Sequence, residues 1–299
     1  MMAPVERPTF ALLGDPVEHS VSPAIHRAAF AALGIRADYE RCRVDAARVP
    51  EAMRDWAATG GGGNVTLPHK RVAAETVERP SGAVAVTRAC NCFWRDSKGR
   101  LAGDNTDVAG FLTAVGALLG GPPGSELAGA RVLLLGAGGA ARAVAIACLS
   151  SGVGRLDVLN RTTARAEEMV AELGSARPRV RERLRVKPSA SSATGPYDLV
   201  VNATRLGLAE GDPLPFELHG IEIGAVMDLV YAPGETAWVR QARAAGVAAL
   251  DGLEMVVNQA VLSLRCWFPG VRPPVRVMRE AARMALEARS QPRTKADSG

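Results

Sequence analysis

The chain has 299 residues, of which 47% are hydrophobic and 22% charged, with a net charge of +5. That length suits two ordinary domains, and the composition is that of a globular protein rather than a disordered or fibrous one. No apolar run approaches the ~20 residues that cross a bilayer, which argues against a membrane partner.

Residues 1–8 lack the apolar core of a secretory signal. The cysteines number five, and Cys90 and Cys92 have no His or further Cys pair nearby to close a metal site. The expectation is buried thiols in a cytoplasmic protein, with no metal. Basic residues crowd into 177–187 and the C-terminal tail. No aromatic residue interleaves there to stack bases, so the run reads as a solvated face and not a nucleic-acid surface.

In chain order, residues 9–14 read as a strand ending in a turn at Asp15-Pro16. A helix opens at Ser22-Pro23, with Ser22 expected as its cap, Ile25, Ala29 and Leu33 as its apolar stripe, and Gly34 as its stop. Residues 39–44 are a strand and 50–58 a helix, broken by the glycines at 60–63. A short strand at 64–66 leads to a helix after Lys70. Residues 91–95 and 100–103 flank a hairpin turn. Apolar residues at 108, 111, 112, 115, 118 and 119 have helical spacing, and residues 120–124 form a linker.

The run Arg131-Val-Leu-Leu-Leu-Gly-Ala-Gly-Gly-Ala-Ala-Arg142 then joins a buried strand to a helix through a glycine turn. Gly136, Gly138 and Ala141 fit the dinucleotide fingerprint G-x-G-x-x-[GA]. Gly136 allows the tight turn, Gly138 admits a pyrophosphate, and the helix start offers unpaired N–H groups and a positive dipole end. Residues 156–160 are the second strand of this unit, with Thr162 or Thr163 expected to cap the next helix. Residues 198–202, 225–230 and 247–250 are further strands. Helices at 253–267 and 275–288 close the chain, and residues 290–299 read as a disordered tail. The second strand ends at Asn160 and Arg161, with no carboxylate before Glu167. An acidic residue there would bind the ribose 2′-OH of NAD, whereas Arg161 suits the 2′-phosphate of NADP.

Polar groups recur at the strand ends of the first half: Ser20, Ser22, Thr66, Lys70, Asn91, Asn105, Thr106 and Asp107. An open α/β sheet presents its ligand site there. Each residue alone has a structural explanation as a cap, turn or solvated charge; together they outline a site.

Several ordered motifs resemble shikimate dehydrogenases. They are Gly14-Asp-Pro-Val-Glu-His-Ser-Val-Ser-Pro-Ala-Ile-His26, Asn64-Val-Thr-Leu-Pro-His-Lys70, Gly103-Asp-Asn-Thr-Asp107, Gly136-Ala-Gly-Gly-Ala140, Asn160-Arg-Thr162, Asn202-Ala-Thr204, Asp228-Leu-Val-Tyr231 and Asp251-Gly-Leu-Glu-Met-Val-Val-Asn-Gln259. The resemblance implies NADPH-dependent reduction of 3-dehydroshikimate to shikimate in aromatic amino-acid biosynthesis. It implies that Ser20 and Ser22 bind the substrate carboxylate, and that Thr66, Asn91, Asn105, Asp107 and Gln259 bind its hydroxyls, with Tyr231 near the ring. Lys70 and Asp107 would be the catalytic pair. Gly136, Ala137, Gly138, Gly139, Ala140, Asn160, Arg161, Thr162 and Gly252 would hold NADP(H).

The implied fold is an N-terminal α/β substrate domain at 1–107, a Rossmann-type dinucleotide-binding domain at 108–252, and closing helices at 253–289 that complete the first domain. The partner is a small molecule, and a homodimer is compatible with this organisation. The sequence departs from the family at Arg88-Ala-Cys-Asn-Cys92, Leu208, Glu254 and Leu264. Those around Asn91 give weight to a paralogue acting on quinate or aminoshikimate. A non-catalytic NADP-binding module is the alternative from another class, and the retained Lys70 and Asp107 argue against it.

Overall fold

The structure is a computed structural model and describes residues 8–209 and 211–290. The first half contains β1 (Thr9–Gly14), α1 (Ser22–Leu33), β2 (Asp38–Arg43), α2 (Val49–Ala58), β3 (Gly62–Val65), α3 (Lys70–Thr76), β4 (Arg79–Pro80), α4 (Gly82–Thr87), β5 (Cys92–Arg95) and β6 (Leu101–Asp104). Their strands form one six-stranded sheet in the order β2-β1-β3-β5-β6-β4. β1 pairs in parallel with β2 and β3, while β5 is antiparallel to both β3 and β6.

The second half follows α5 (Thr106–Leu119). It contains β7 (Arg131–Leu135), α6 (Gly139–Ser150), β8 (Arg155–Leu159), α7 (Thr163–Ala176), β9 (Leu184–Lys187), β10 (Tyr197–Asn202), β11 (Ile223–Asp228), α8 (Ala237–Ala244) and β12 (Ala248–Leu250). These strands form a wholly parallel sheet in the order β12-β11-β10-β7-β8-β9. That is the doubly wound dinucleotide-binding order, and the direction of winding reverses between β7 and β10, where such sheets open a crevice. The chain ends with α9 (Leu253–Trp267) and α10 (Val275–Ser290).

Both sheets are covered on both faces, as parallel strands require. One face of the first sheet buries Phe10, Ile25 and Phe30 against Val257 and Leu264 of α9 and Met278, Ala282 and Leu286 of α10. The C-terminal helices therefore return to the first sheet. α5 instead packs Phe111 and Val115 into the core of the second sheet.

Several local expectations change. The helix before the glycines at 60–63 does stop at Ala58, but the strand expected from residue 64 begins earlier, with Gly62 and Gly63 inside it. A Cβ on Gly62 would come within 2.4 Å of the Phe93 carbonyl, and one on Gly63 within 2.2 Å of the Ala11 carbonyl. β3 is wedged between β1 and β5, and only glycine admits that approach. Ser22 does not cap α1: the cap position is Val21, and no side chain caps it. Thr162 occupies the cap position of α7, but neither hydroxyl there caps the helix. α4 and α8 fall in stretches that the sequence left unassigned; Ser81 caps the first and Thr236 the second. The expected disordered tail begins inside α10, which includes Ser290, and residues 291–299 lie outside the described residues. So do residues 1–7, most of the stretch expected to hold no secretory signal.

Candidate active site

One edge of the first sheet collects the polar groups. β1 and β3 end there, antiparallel β5 begins there, and β6 ends there again. Ser20 and Ser22 follow β1, Thr66 follows β3, Asn91 precedes β5, and residues 105–107 follow β6. Lys70, at the start of α3, donates from Nζ to Asp107 Oδ2 at 2.5 Å. Their side chains are 13% and 8% exposed. Among the described residues only Asp107 accepts from this ammonium, so two of its three N–H bonds are left for a bound oxygen.

Asn91 Nδ2 lies 2.7 Å from Asp107 Oδ1, 3.0 Å from Thr106 Oγ1 and 3.3 Å from Gln259 Oε1. Its Oδ1 accepts from the Thr106 N–H at 2.7 Å. Gln259 reaches this group from α9 because Gly110 lets α9 approach α5. A Cβ on Gly110 would sit 3.1 Å from the Gln259 backbone nitrogen. Asn105 is turned inward: its amide donates to Thr87 Oγ1 and the Ala89 carbonyl, both at 3.0 Å, and its Oδ1 caps α5 through the Asp107 N–H. Both its donors are spent inside the protein, so it aims the Asp107 turn instead of offering an amide to a ligand.

Ser20 and Ser22 form a hydroxyl pair at the start of α1. Ser20 Oγ accepts from the Ser22 N–H at 3.2 Å and donates to Ser22 Oγ at 3.1 Å. Thr66 abuts Gly14 at the end of β1, where a Cβ would lie 2.4 Å from its methyl group. Tyr231 follows β11 but packs against the first-sheet core. Burial raises its phenol pKa, with Arg289, the Val21 backbone and Arg41 pulling the other way. Burial likewise pushes the Cys90 thiol up to about 12 and that of Cys92 well above its usual value. The thiols flanking Asn91 therefore stay neutral and act as packing groups.

Asn64 and Ser263, which sequence reasoning passed over, stand behind the site. Asn64 donates to the Asn91 carbonyl and to Ser263 Oγ, both at 2.9 Å, and accepts from the Tyr39 hydroxyl at 2.9 Å. This buried chain fixes the backbone of Asn91. A polar residue inside a glycine-rich strand was the available signal.

The second sheet brings its glycine turn to the same place. A Cβ on Gly139 would lie 3.6 Å from Lys70 Cδ, so the turn faces the lysine directly. Gly136 takes φ of 112° and would meet the Ala203 carbonyl at 2.9 Å if it carried a Cβ. Its N–H bonds the Leu159 carbonyl at 2.7 Å, tying the turn to the end of β8 and hence to Asn160 and Arg161. A Cβ on Gly138 would meet nothing, and no side chain caps α6, which leaves its N–H groups open to an anion. Gly252 is held by a close approach, since its Cβ would meet the Leu229 carbonyl at 2.2 Å.

Asn160 Nδ2 bonds the Thr162 carbonyl, leaving Arg161 and Thr162 exposed beyond it. Arg165, unremarked in the sequence, stands exposed in the first turn of α7, which contains no acidic residue. Two cations at a positive helix end are poorly placed without an anion. The residues present thus fit a phosphorylated dinucleotide. Among the departures, Glu254 forms a two-pronged pair with Arg279 of α10 at 2.6 and 2.9 Å, and Leu208 is exposed. No metal-ligating cluster exists among the described residues, and none of their helices is long and apolar enough to cross a membrane.

A dinucleotide fold whose glycine turn faces a buried lysine–aspartate pair defines a pyridine-nucleotide-dependent oxidoreductase of two-sheet build. Comparison with known proteins gives the particular family. Residues 12–93 match the shikimate dehydrogenase substrate binding domain, 122–205 the shikimate / quinate 5-dehydrogenase domain, and 252–283 the shikimate 5′-dehydrogenase C-terminal domain. A shikimate dehydrogenase (NADP(+)) of Rubrobacter xylanophilus is 42% identical over 275 residues, covering 90% of this chain and 93% of that protein. The crystal structure of a Thermus thermophilus shikimate 5-dehydrogenase in complex with shikimate superposes with a TM-score of 0.78 at 39% identity, covering 93% of this chain and 98% of the other. The same enzyme in complex with NADP(H) and shikimate also gives 0.78, at 38% identity and with coverage of 93% and 99%. The chain belongs to the shikimate dehydrogenase family.

Proposed function

We propose that the protein is an NADP-dependent oxidoreductase that interconverts 3-dehydroshikimate and shikimate in aromatic amino-acid biosynthesis. One observation carries this reading: Lys70 is held by Asp107 at 2.5 Å on one side and faces Gly139 of the dinucleotide turn on the other. A proton donor and a nucleotide site thus meet at one point, as reduction of a ketone needs.

Bound NADPH supplies the hydride. Lys70 sits beside the ketone oxygen, stabilises the charge that develops on it and gives it a proton. Asp107 orients the ammonium and accepts from a ring hydroxyl. Asn91, Gln259 and Thr66 bind the remaining hydroxyls, and Asn105 positions Asp107. Ser20 and Ser22 take the carboxylate, with Tyr231 beside the ring. On the cofactor side, Gly136, Ala137, Gly138, Gly139 and Ala140 would cradle the pyrophosphate. Asn160, Arg161, Thr162 and Arg165 would take the adenosine end with its 2′-phosphate, and Gly252 would line the nicotinamide end. We assign residues 1–107 with the closing helices at 253–289 to a substrate domain and 108–252 to a cofactor domain. The enzyme acts in the cytoplasm on a small molecule, without nucleic acid or membrane, and a homodimer fits the same reading.

The test is a steady-state assay of the purified protein on shikimate and on quinate, each with NADP and with NAD. Shikimate with NADP should give the highest kcat/KM. A higher value with quinate would move the protein to the paralogous activity, and no turnover in any combination would overturn the enzymatic reading.

A further inference from the structure

The carboxylate subsite in this reading has hydroxyls but no counter-charge of its own: neither Ser20 nor Ser22 carries charge, and their hydroxyls are turned to each other. Two guanidinium groups meet directly behind it. Arg41 on β2 donates from Nη2 to the Ser20 carbonyl at 2.7 Å. Arg289, on the penultimate position of α10, donates from Nη2 to the same oxygen at 2.9 Å and from Nη1 to the His19 carbonyl at 2.7 Å. Residues far apart in the chain thus converge on the one peptide that begins the Ser20–Ser22 pair.

We propose that Arg41 and Arg289 are positioning residues for the substrate carboxylate, clamping the Ser20 peptide and supplying the positive field that the two serines lack. The proposal rests on the assignment of Ser20 and Ser22 to that carboxylate.

Two cations sharing one neutral acceptor repel each other, and such an arrangement is relieved when an anion arrives nearby. Arg41 shows the cost: burial comes first, and then Arg289 and Arg27 depress its pKa more than Glu18 restores it. The clamp also reaches Tyr231. Both guanidiniums hold the Tyr231 phenol pKa down against the rise that burial causes. A field from behind costs the substrate no desolvated ion pair, yet it favours a carboxylate over a neutral group of the same shape.

The test measures kcat and KM for shikimate at saturating NADP, from low salt to about 1 M NaCl, where the Debye length falls to about 3 Å. Arg41→Ala and Arg289→Ala should each raise KM on the order of fivefold at low salt, with kcat within about twofold. The double variant should lose most of the rise of KM with salt that the parent protein shows, and Arg289→Lys should recover part of the loss. A purely structural clamp would lower kcat together with the rise in KM and leave the salt dependence intact; that result, or an unchanged KM in the double variant, overturns the proposal. Ser20→Ala separates the two levels. If it leaves KM unchanged, the carboxylate assignment itself fails; if it raises KM while the arginine variants do not, only the clamp fails.

Discussion

Lys70 and Asp107 act as a unit, and single substitutions should split their roles. In the proposed mechanism Lys70 meets the substrate oxygen and that contact strengthens as charge develops there, so its loss should fall on turnover and not on binding. Lys70→Ala is expected to lower kcat by about a hundredfold to ten-thousandfold while KM for shikimate moves little. Asp107→Ala should harm both, because Asp107 also accepts from Asn91 Nδ2 at 2.7 Å. A Lys70→Ala enzyme that keeps most of its turnover would move the proton donor elsewhere. A different residue couples stability to acid. His26 is wholly buried, stacked on Tyr39 at 4.5 Å, and neither ring nitrogen completes a hydrogen bond. Burial lowers its pKa to about 3, outweighing the nearby Asn64 amide. An unfolded histidine titrates near 6.5. Between those values the unfolded chain binds a proton that the fold does not. Stability is therefore full above pH 6.5 or so and declines as pH falls toward 3, by about 1.4 kcal/mol per pH unit. His26→Phe keeps the stacking and removes the titration. From about pH 7.5 to 4.5 the urea midpoint of His26→Phe should rise relative to that of the parent protein; a difference that stays constant with pH would show that His26 titrates normally in the fold.

In the proposed reading the start of α7 sets cofactor choice. Arg161 precedes it, Arg165 lies in its first turn, and no acidic residue there competes for them. Arg161→Ala should raise KM for NADP by at least tenfold and KM for NAD far less, since a guanidinium–phosphate contact is charge-assisted and a ribose hydroxyl contact is not. Equal effects on both cofactors would refute the assignment. Elements of this kind were legible in the sequence wherever one signal dominated. β1 and α9 have the bounds that apolar patterning gave them, and the glycine turn falls between β7 and α6 as its spacing required. Legibility failed where tertiary contacts override local preference. Four successive glycines look like a break, yet β3 uses two of them because β1 and β5 press on it from both sides. α4 and α8 are only six and eight residues long and start at caps, Ser81 and Thr236, so each offers too few turns for a pattern to stand out. At the site, Lys70, Asp107, Asn91 and Gln259 do come together, but Asn105 turns inward because its amide has two acceptors near α4. A sequence cannot show which way an asparagine at a cap will face. Asn64 was invisible as a support for Asn91 because the two lie 27 positions apart, and only the pairing of β3 with β5 brings the Asn64 amide to the Asn91 carbonyl.

The two sheets are joined twice, by α5 leaving the first sheet and by the turn from β12 into α9 returning to it. That arrangement puts the polar strand ends of one sheet against the winding reversal of the other, with Gly139 facing Lys70. It also makes the first domain depend on the last residues of the chain. Met278, Ala282 and Leu286 of α10 share a core with Phe10 of β1 and Ile25 and Phe30 of α1, whereas the second sheet packs on α5, α6 and α7. Met278 has no exposed surface, so Met278→Ala should cost about 2–5 kcal/mol. If the domains are energetically separate, that cost is borne by one of them. Hydrogen exchange of the variant should then accelerate in β1 and α1 while the amides of β7 and β10 keep the parent protein's protection. Because α10 also carries Arg289 to the Ser20 carbonyl, shikimate binding should weaken in the same variant with NADP binding retained. Equal acceleration in both sheets would mean that the molecule opens as one cooperative unit, and unchanged exchange in β1 and α1 would mean that α10 does not complete the substrate domain.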